Sequence, residues 1–363
     1  MTQSRDNLSL YTEYSTPAEL HQSVAVSVII PTYMHAAFIR ATLEGVLCQQ
    51  TDFPFEVLVG EDCSPDDTLP VLRDLQALHP RILRILSFSI NVGPHRNMEA
   101  LISASRAMLI AHCDGDDQWT DPCKLAIQHR LFTENPRTKL IYHAAGTIDA
   151  KGLRQPYRIR RGLFSRVVTA SEVILGDGGM IPTSSVMADK SVMTNEPAWQ
   201  HEAPVGDYPL GIRAALEGEV IYVDRQMCDY RVSVPHSWTE RHLPSFDIRL
   251  AYARCIDTML TGVTASHPEY VMASRAVVSK YYSDVMVRYP AGESRARTIY
   301  EELCGRMHGH ERLLAWLAVY HSIRLAWLKD LLRKTRTLSR LLAGHVTTRR
   351  IVLGPVVNKR QQP

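Results

Sequence analysis

Short apolar, β-branched runs alternate with helical spacings through the first third of this 363-residue chain, and that rhythm admits few folds. Val24 to Ile30 (VAVSVII) reads as a buried strand that Pro31 ends. Ile39, Leu43, Val46 and Leu47 then recur on one helical face. Phe55 to Val59 predicts a second strand, running into Gly60-Glu61-Asp62, and Thr68 to Leu78 a second helix. A strand at Ile82 to Phe88, a helix at Asn97 to Ala107 and a strand at Met108 to His112 continue the series. Strands and helices alternating at this spacing make βαβ units, hence a mostly parallel sheet flanked by helices. Ligands of such sheets bind beyond the carboxyl ends of the strands. Three polar clusters stand at such ends: Thr32-Tyr33, Glu61-Asp62 and Asp114 to Asp117. They are distant in sequence, and the fold predicts that they meet at one edge.

The rhythm changes after about Leu140. Lys139 to Gly146 and Val220 to Val223 read as strands, and Gly176 to Gly179 as a Gly-rich loop before Met180 to Ser185. From Phe246 the pattern is helical, over Ile248 to Leu260, Ala273 to Val287 and Leu313 to Leu342. A boundary near Pro244 divides the chain into a polar segment (1–22), an α/β domain (23–244) and a helical region (245–363). Hydrophobic residues at 45% and charged residues at 22% suffice for a sizeable core. Seven cysteines, an odd number without a C-x-x-C pair, point to free thiols rather than a disulfide framework or a zinc ribbon. Met1 to Gln22 lacks an apolar signal core, and no run of about 18 uncharged apolar residues appears, so the expectation is a cytoplasmic chain without a membrane span. The charge is uneven: residues 324–363 carry +9, the rest −6. Leu325, Leu328, Leu331, Leu332, Leu338, Leu341 and Leu342 recur among those basic residues. Such a basic amphipathic helix either lies on an anionic membrane surface, the peripheral inner face of a cell membrane, or packs on the α/β domain. No nucleic-acid motif accompanies the charge.

Asp114, Asp116 and Asp117 repel one another unless something offsets their charge. A divalent cation would do so, and carboxylate oxygens suit Mg²⁺ or Mn²⁺. The competing reading is a solvated acidic turn. A calcium EF-hand loop starting at Asp114 needs Gly and Glu where Trp119 and Leu125 stand. A phosphatase-type D-x-D-x-T needs a hydroxyl residue where Gln118 stands.

The segments S-V-I-I-P-T-Y (27–33), E-V-L-V-G-E-D-C-S-P-D-D-T (56–68), N-V-G-P-H-R-N (91–97) and D-G-D-D-Q-W (114–119) occur in that order. Together they resemble the family 2 glycosyltransferases, over roughly residues 25 to 240. The resemblance implies the Rossmann-like GT-A fold, with the helical C-terminal region as an extension, and an inverting transfer of sugar from a nucleotide diphosphate donor. It departs at Met34, where many members have Asn.

On this resemblance Pro31, Thr32 and Tyr33 line the base pocket. Asp62 accepts from the base imide, favouring a uridine or thymidine donor, or else caps a helix beside Ser64. Arg96 approaches the base or diphosphate, or is a surface arginine. Asp114, Asp116 and Asp117 share ribose and metal binding, Asp116 and Asp117 being the metal candidates. His236, in the segment Tyr230-Arg231 to His236-Ser237-Trp238 that resembles a donor-covering element, completes the metal or phosphate site or is structural. Asp207 in G-D-Y-P-L is the general base or a helix cap. The Gly176 to Ser185 stretch and Trp199 fall where acceptor loops lie. The acceptor is a glycan or a lipid-linked glycan, in bacterial surface polysaccharide assembly. Two alternatives compete. A nucleotidyltransferase would need a Gly-rich basic loop after the first strand, where this chain has Pro-Thr-Tyr-Met-His. A non-catalytic nucleotide-sugar-binding scaffold would lose the base or the metal carboxylates.

Overall fold

The computed structural model describes residues 11–232 and 245–288. Its strands are β1 (Tyr11–Tyr14), β2 (Val26–Thr32), β3 (Phe55–Glu61), β4 (Leu83–Phe88), β5 (Leu109–His112), β6 (Gln118–Trp119), β7 (Thr138–Ile148), β8 (Arg166–Val168), β9 (Met187–Asp189) and β10 (Glu219–Arg231). Its helices are α1 (Ile39–Leu47), α2 (Thr68–Leu78), α3 (Gly93–Ala104), α4 (Lys124–Glu134), α5 (Ala170–Gly176), α6 (Asp207–Glu217), α7 (Phe246–Ser266) and α8 (Val271–Arg288). The strands form one sheet in the order β1-β4-β3-β2-β5-β9-β7-β10-β6, with β8 also on β10. Strands β4-β3-β2-β5 are parallel, as are β7 and β10, and β9 joins the two groups antiparallel. This is the α/β sheet with flanking helices that the alternating pattern predicts.

Both faces of the central strands are covered, which is why they read as unbroken apolar runs. Val26, Val28 and Ile30 of β2 pack with Ile39, Leu43 and Val46 of α1 and Leu72 and Leu75 of α2. Ile29, Leu58 and Leu86 pack on the other side with Leu101 and Ile102 of α3. Each such side chain contributes about 1.5–3 kcal/mol on full burial.

Several boundaries differ from the sequence reading, each for a local reason. Pro31 does not end β2, which runs on to Thr32. Its carbonyl accepts from Gly115 N–H on the side where β5 has already ended, so the amide hydrogen that proline lacks has no ladder partner to miss. Helix α3 starts at Gly93 rather than Asn97, with Pro94 in its first turn. The polar N-terminal segment contains a strand, β1, antiparallel to β4. A charge network holds it there: Arg84 of β4 pairs with Glu13 at 2.9 Å and with the buried Glu56 at 3.0 Å.

The helices after residue 244 are not peripheral. Ile256, Met259, Leu260 and Val263 of α7 and Val277 of α8 share one apolar cluster with Ile174 of α5 and Ile212 of α6. Among the described residues no helix is long and apolar enough to cross a membrane. The helix expected at Leu313 to Leu342, the basic tail, and His236 with its neighbours lie outside the described residues.

Candidate active site

The three polar clusters meet at the carboxyl edge of β2, β3 and β5. Asp62 N–H donates to Thr32 O (3.1 Å), Cys113 N–H to Ile29 O (3.1 Å) and Gly115 N–H to Pro31 O (3.2 Å). The segment Asp114 to Asp117 therefore lies against the end of β2. Gly115 is required there, since a Cβ would come within 2.5 Å of both Thr32 Oγ1 and His35 Nδ1.

The acidic loop is clamped from three directions. From α1, Thr42 Oγ1 donates to Gly115 O (3.0 Å) and Asp117 O (2.7 Å). From the turn Thr183–Ser185, Ser184 Oγ donates to Asp117 Oδ2 (2.6 Å) and accepts from Asp114 N–H (2.9 Å). From the end of β10, Arg231 N–H donates to Asp117 Oδ1 (2.8 Å) and Arg231 Nε to Asp116 O (2.6 Å). The Arg231 guanidinium also lies over the Phe38 ring, 4.7 Å from its centroid. Replacing Ser184 with alanine leaves Asp117 Oδ2 and Asp114 N–H without these partners. We expect a loss of about 1–3 kcal/mol, seen as a lower thermal unfolding midpoint, with an unchanged midpoint counting against the clamp.

The three aspartates differ in surroundings. Asp114 is half-buried, and its Oδ1 lies 3.0 Å from His112 Nε2. Burial raises its carboxyl, but His112 and then His35 outweigh this and hold it below the ordinary carboxylate range. Asp116 is half-buried, and burial with the charge of Asp114 pushes it up despite His35 and Arg231. Asp117 is fully buried and is pushed well above the usual range by burial, then by Asp116 and Asp114. Both Asp117 oxygens accept bonds from the clamp, so this carboxylate holds the loop rather than facing the cleft.

Asp62 is likewise buried, and its oxygens accept from Val92 N–H (2.7 Å) and Gly93 N–H (3.0 Å). It ties the end of β3 to the start of α3, whose first turn presents Arg96 to solvent. These contacts run to the start of α3, not to the helix that follows Ser64, whose N-cap position is Asp67. Thr32 is buried, with Oγ1 2.9 Å from His35 Nδ1, and Tyr33 is exposed beside it.

Met34 adopts a left-handed backbone (φ 59°), and its N–H donates to Ser64 Oγ at 3.0 Å. Asparagine adopts that conformation at lower cost than methionine, which gives a physical reason for the Asn of many family members. Met34→Asn should therefore stabilise the protein by about 1 kcal/mol, raising the unfolding midpoint; a lower midpoint would contradict this.

Asp207 begins α6, with Gly206 as the N-cap, and its Oδ1 accepts from Tyr208 N–H at 2.8 Å. Its carboxylate thus satisfies a first-turn N–H, the contact expected of a helix cap, from one residue past the N-cap. Burial pushes its carboxyl up to about 6; the Tyr208 N–H opposes this and the charge of Asp114 adds to it. Asp207 thus lies within electrostatic reach of the acidic loop. Tyr252 of α7 and Tyr281 of α8, with rings 5.5 Å apart, bring their hydroxyls to within 3.6 and 3.8 Å of the Cβ position of Gly178. Lys280 pairs with Asp177 in the same turn. Trp199 meets α7 instead: a Cβ on Gly262 would come within 2.5 Å of its side chain. The C-terminal helices thus wall the side of the site that holds Asp207.

His35, Tyr252 and the clamp contacts of Ser184 and Arg231 are absent from the sequence reading, which names Ser184 only within the stretch where acceptor loops lie. His35 had a signal, since it follows Pro31-Thr32-Tyr33-Met34. The Ser184 contact, spanning 67 residues to Asp117, had none.

The chain matches Glycosyl transferase family 2 over residues 27–175. It is 30% identical over 218 residues to an uncharacterized protein of Mycobacterium tuberculosis, covering 59% of this chain and 60% of that one. The chain thus spans about 60% of the length of these relatives. It is 29% identical over 94 residues to the putative teichuronic acid biosynthesis glycosyltransferase TuaG of Bacillus subtilis, covering 26% of this chain and 36% of that one. Among solved structures, residues 1–349 of S. aureus TarS in complex with UDP-GlcNAc superpose with a TM-score of 0.59 at 14% identity, covering 93% of this chain and 98% of that chain.

Proposed function

We propose, from a chain that carries a family 2 glycosyltransferase domain of GT-A fold over residues 27–175, that it transfers a sugar from a nucleotide diphosphate donor to an acceptor hydroxyl with inversion. The observation that carries this reading is the meeting of Thr32, Tyr33, Asp114 and Asp116 at one strand edge, with Asp207 within electrostatic reach of Asp114.

In this reading the Tyr33 ring, beside Pro31 and Thr32, packs on the nucleobase. Asp62, whose oxygens keep lone pairs beyond their two backbone bonds, sets the base edge and favours uridine or thymidine. Arg96 lies on the diphosphate side. A divalent cation fits the donor set, hard oxygens with a surplus of negative charge, and Asp116 with Asp114 would hold it. Among the described residues no three metal-ligating side chains converge, so diphosphate oxygens would complete the shell, with His236 as a further candidate. Such an ion, Mg²⁺ or Mn²⁺, would stabilise charge on the departing diphosphate. Asp207, ionised above about pH 6, takes the proton of the acceptor hydroxyl as its oxygen attacks the anomeric carbon. Tyr252 and Tyr281 offer aromatic faces to a glycan or lipid-linked glycan acceptor. The match to TuaG supports a place in surface polysaccharide assembly. The basic tail at 324–363 supports peripheral attachment to an inner membrane surface.

Incubation with UDP-, dTDP-, GDP- and ADP-sugars and Mn²⁺, scored by released nucleotide, tests the donor class. Release from a uridine or thymidine donor is expected. A clear purine preference would overturn the role given to Asp62 and Tyr33.

A further inference from the structure

Between β7 and β8 the chain makes an excursion that the transfer chemistry does not use. Residues 151–166 contain six basic residues and no acidic one. Three large apolar side chains there stand in solvent: Leu163 is 81% exposed, Tyr157 63% and Leu153 62%. The excursion has a defined shape. Bridges Ala145↔Ile159 and Ile148↔Arg154 pin it to β7, and Thr147 Oγ1 donates to Tyr157 O at 2.6 Å.

Three of its arginines are neutralised, Arg154 by Asp229, Arg160 by Asp224 and Arg166 by Glu172. Lys151 and Arg158 are exposed and have no carboxylate partner among the described residues. A surface that joins surplus positive charge to exposed leucine and aromatic side chains meets the two requirements of interfacial lipid binding. Nucleic acid or an acidic polysaccharide would satisfy the charge but leave Leu153 and Leu163 in water. The excursion also opens beside the site, because Arg231 Nη1 donates to Asp149 O while Arg231 Nε donates to Asp116 O.

We propose that this excursion seats the protein on an anionic lipid bilayer, through Lys151 and Arg158 at the headgroups and Leu153, Tyr157 and Leu163 at the acyl boundary. The proposal stands on surface charge and exposure and does not depend on the transferase reading.

The test is co-sedimentation of the full chain with phosphatidylglycerol/phosphatidylcholine vesicles and with phosphatidylcholine vesicles alone. The full chain should pellet with the anionic vesicles and weakly with the neutral ones. Lys151→Glu/Arg158→Glu/Leu163→Ser should lower the partition constant on anionic vesicles at least about tenfold. Leu153→Ser/Leu163→Ser keeps the charge and should lower it at least about fivefold. The tail is present in every protein, so the difference reports the excursion alone. A change under twofold in both variants, or no pelleting of the unmodified chain, overturns the proposal. So does loss of oligonucleotide binding with unchanged vesicle binding, which would assign the patch to nucleic acid. Donor hydrolysis without vesicles, measured on the same samples, separates failure of this proposal from failure of the transferase reading.

Discussion

Asp207→Asn should lower turnover by about 10²–10⁴-fold, the usual contribution of a general base. Donor affinity should stay nearly unchanged, since the proposed base acts on the acceptor hydroxyl. The unmodified enzyme should lose kcat/KM as pH falls through about 6, where Asp207 takes up its proton, and the variant should lack that limb. Stability should move the opposite way. Folding raises this carboxyl from 3.8 to about 6, so its contribution is fully present below pH 3.8 and is lost as pH rises through about 6. Above pH 6 the ionised Asp207 therefore weakens the fold, by up to about 3 kcal/mol at 1.4 kcal/mol per unit. Asp207→Asn should accordingly raise the unfolding midpoint at pH 8 while nearly abolishing turnover. Near-normal turnover would remove Asp207 from the mechanism and move attention to Glu202 and Asp229. Of these, Glu202 is exposed, and Asp229 is buried against Gln226 at 2.7 Å.

Chelation should have an effect of similar size. EDTA is expected to reduce transfer at least about 10²-fold, the several kcal/mol that a Lewis acid supplies at a departing diphosphate, and Mn²⁺ or Mg²⁺ should restore it. Full activity after exhaustive chelation would end the metal role of the acidic loop. Asp117→Ala offers a contrast to a cleft-facing ligand. Because Ser184 and Arg231 hold the two Asp117 oxygens, removing both contacts should lower the unfolding midpoint as well as the rate. A change in rate without one in stability would return Asp117 to direct metal binding.

The sequence carried the first half of the fold well, because buried parallel strands and amphipathic helices leave period and composition as a trace. The second helix, Thr68–Leu78, appears with the bounds that its apolar spacing predicts. The parts not legible share one property: they depend on partners distant in the chain. Strand β1 is polar and short, and it forms because Glu13 meets Arg84 across 71 residues. The continuation of β2 past Pro31 depends on where β5 ends, which no local pattern records. At the site, D-G-D-D at a strand end was visible. The division of labour within it was not, since Asp117 differs from Asp116 through contacts from Ser184 and Arg231. Asp207 was legible as a candidate only through family resemblance. Its raised proton affinity comes from burial in the fold.

In the proposed function the acidic loop at the end of β5 belongs to a nucleotide-sugar donor site. Calorimetric titration of UDP into the full chain in Mn²⁺, repeated on Asp116→Asn, tests that assignment. Saturable, Mn²⁺-dependent binding to the unmodified chain is expected, and at least about tenfold weaker binding to the variant, as when a metal site loses a supporting group. Equal UDP affinity in the two proteins, or no UDP binding to the unmodified chain, would contradict it.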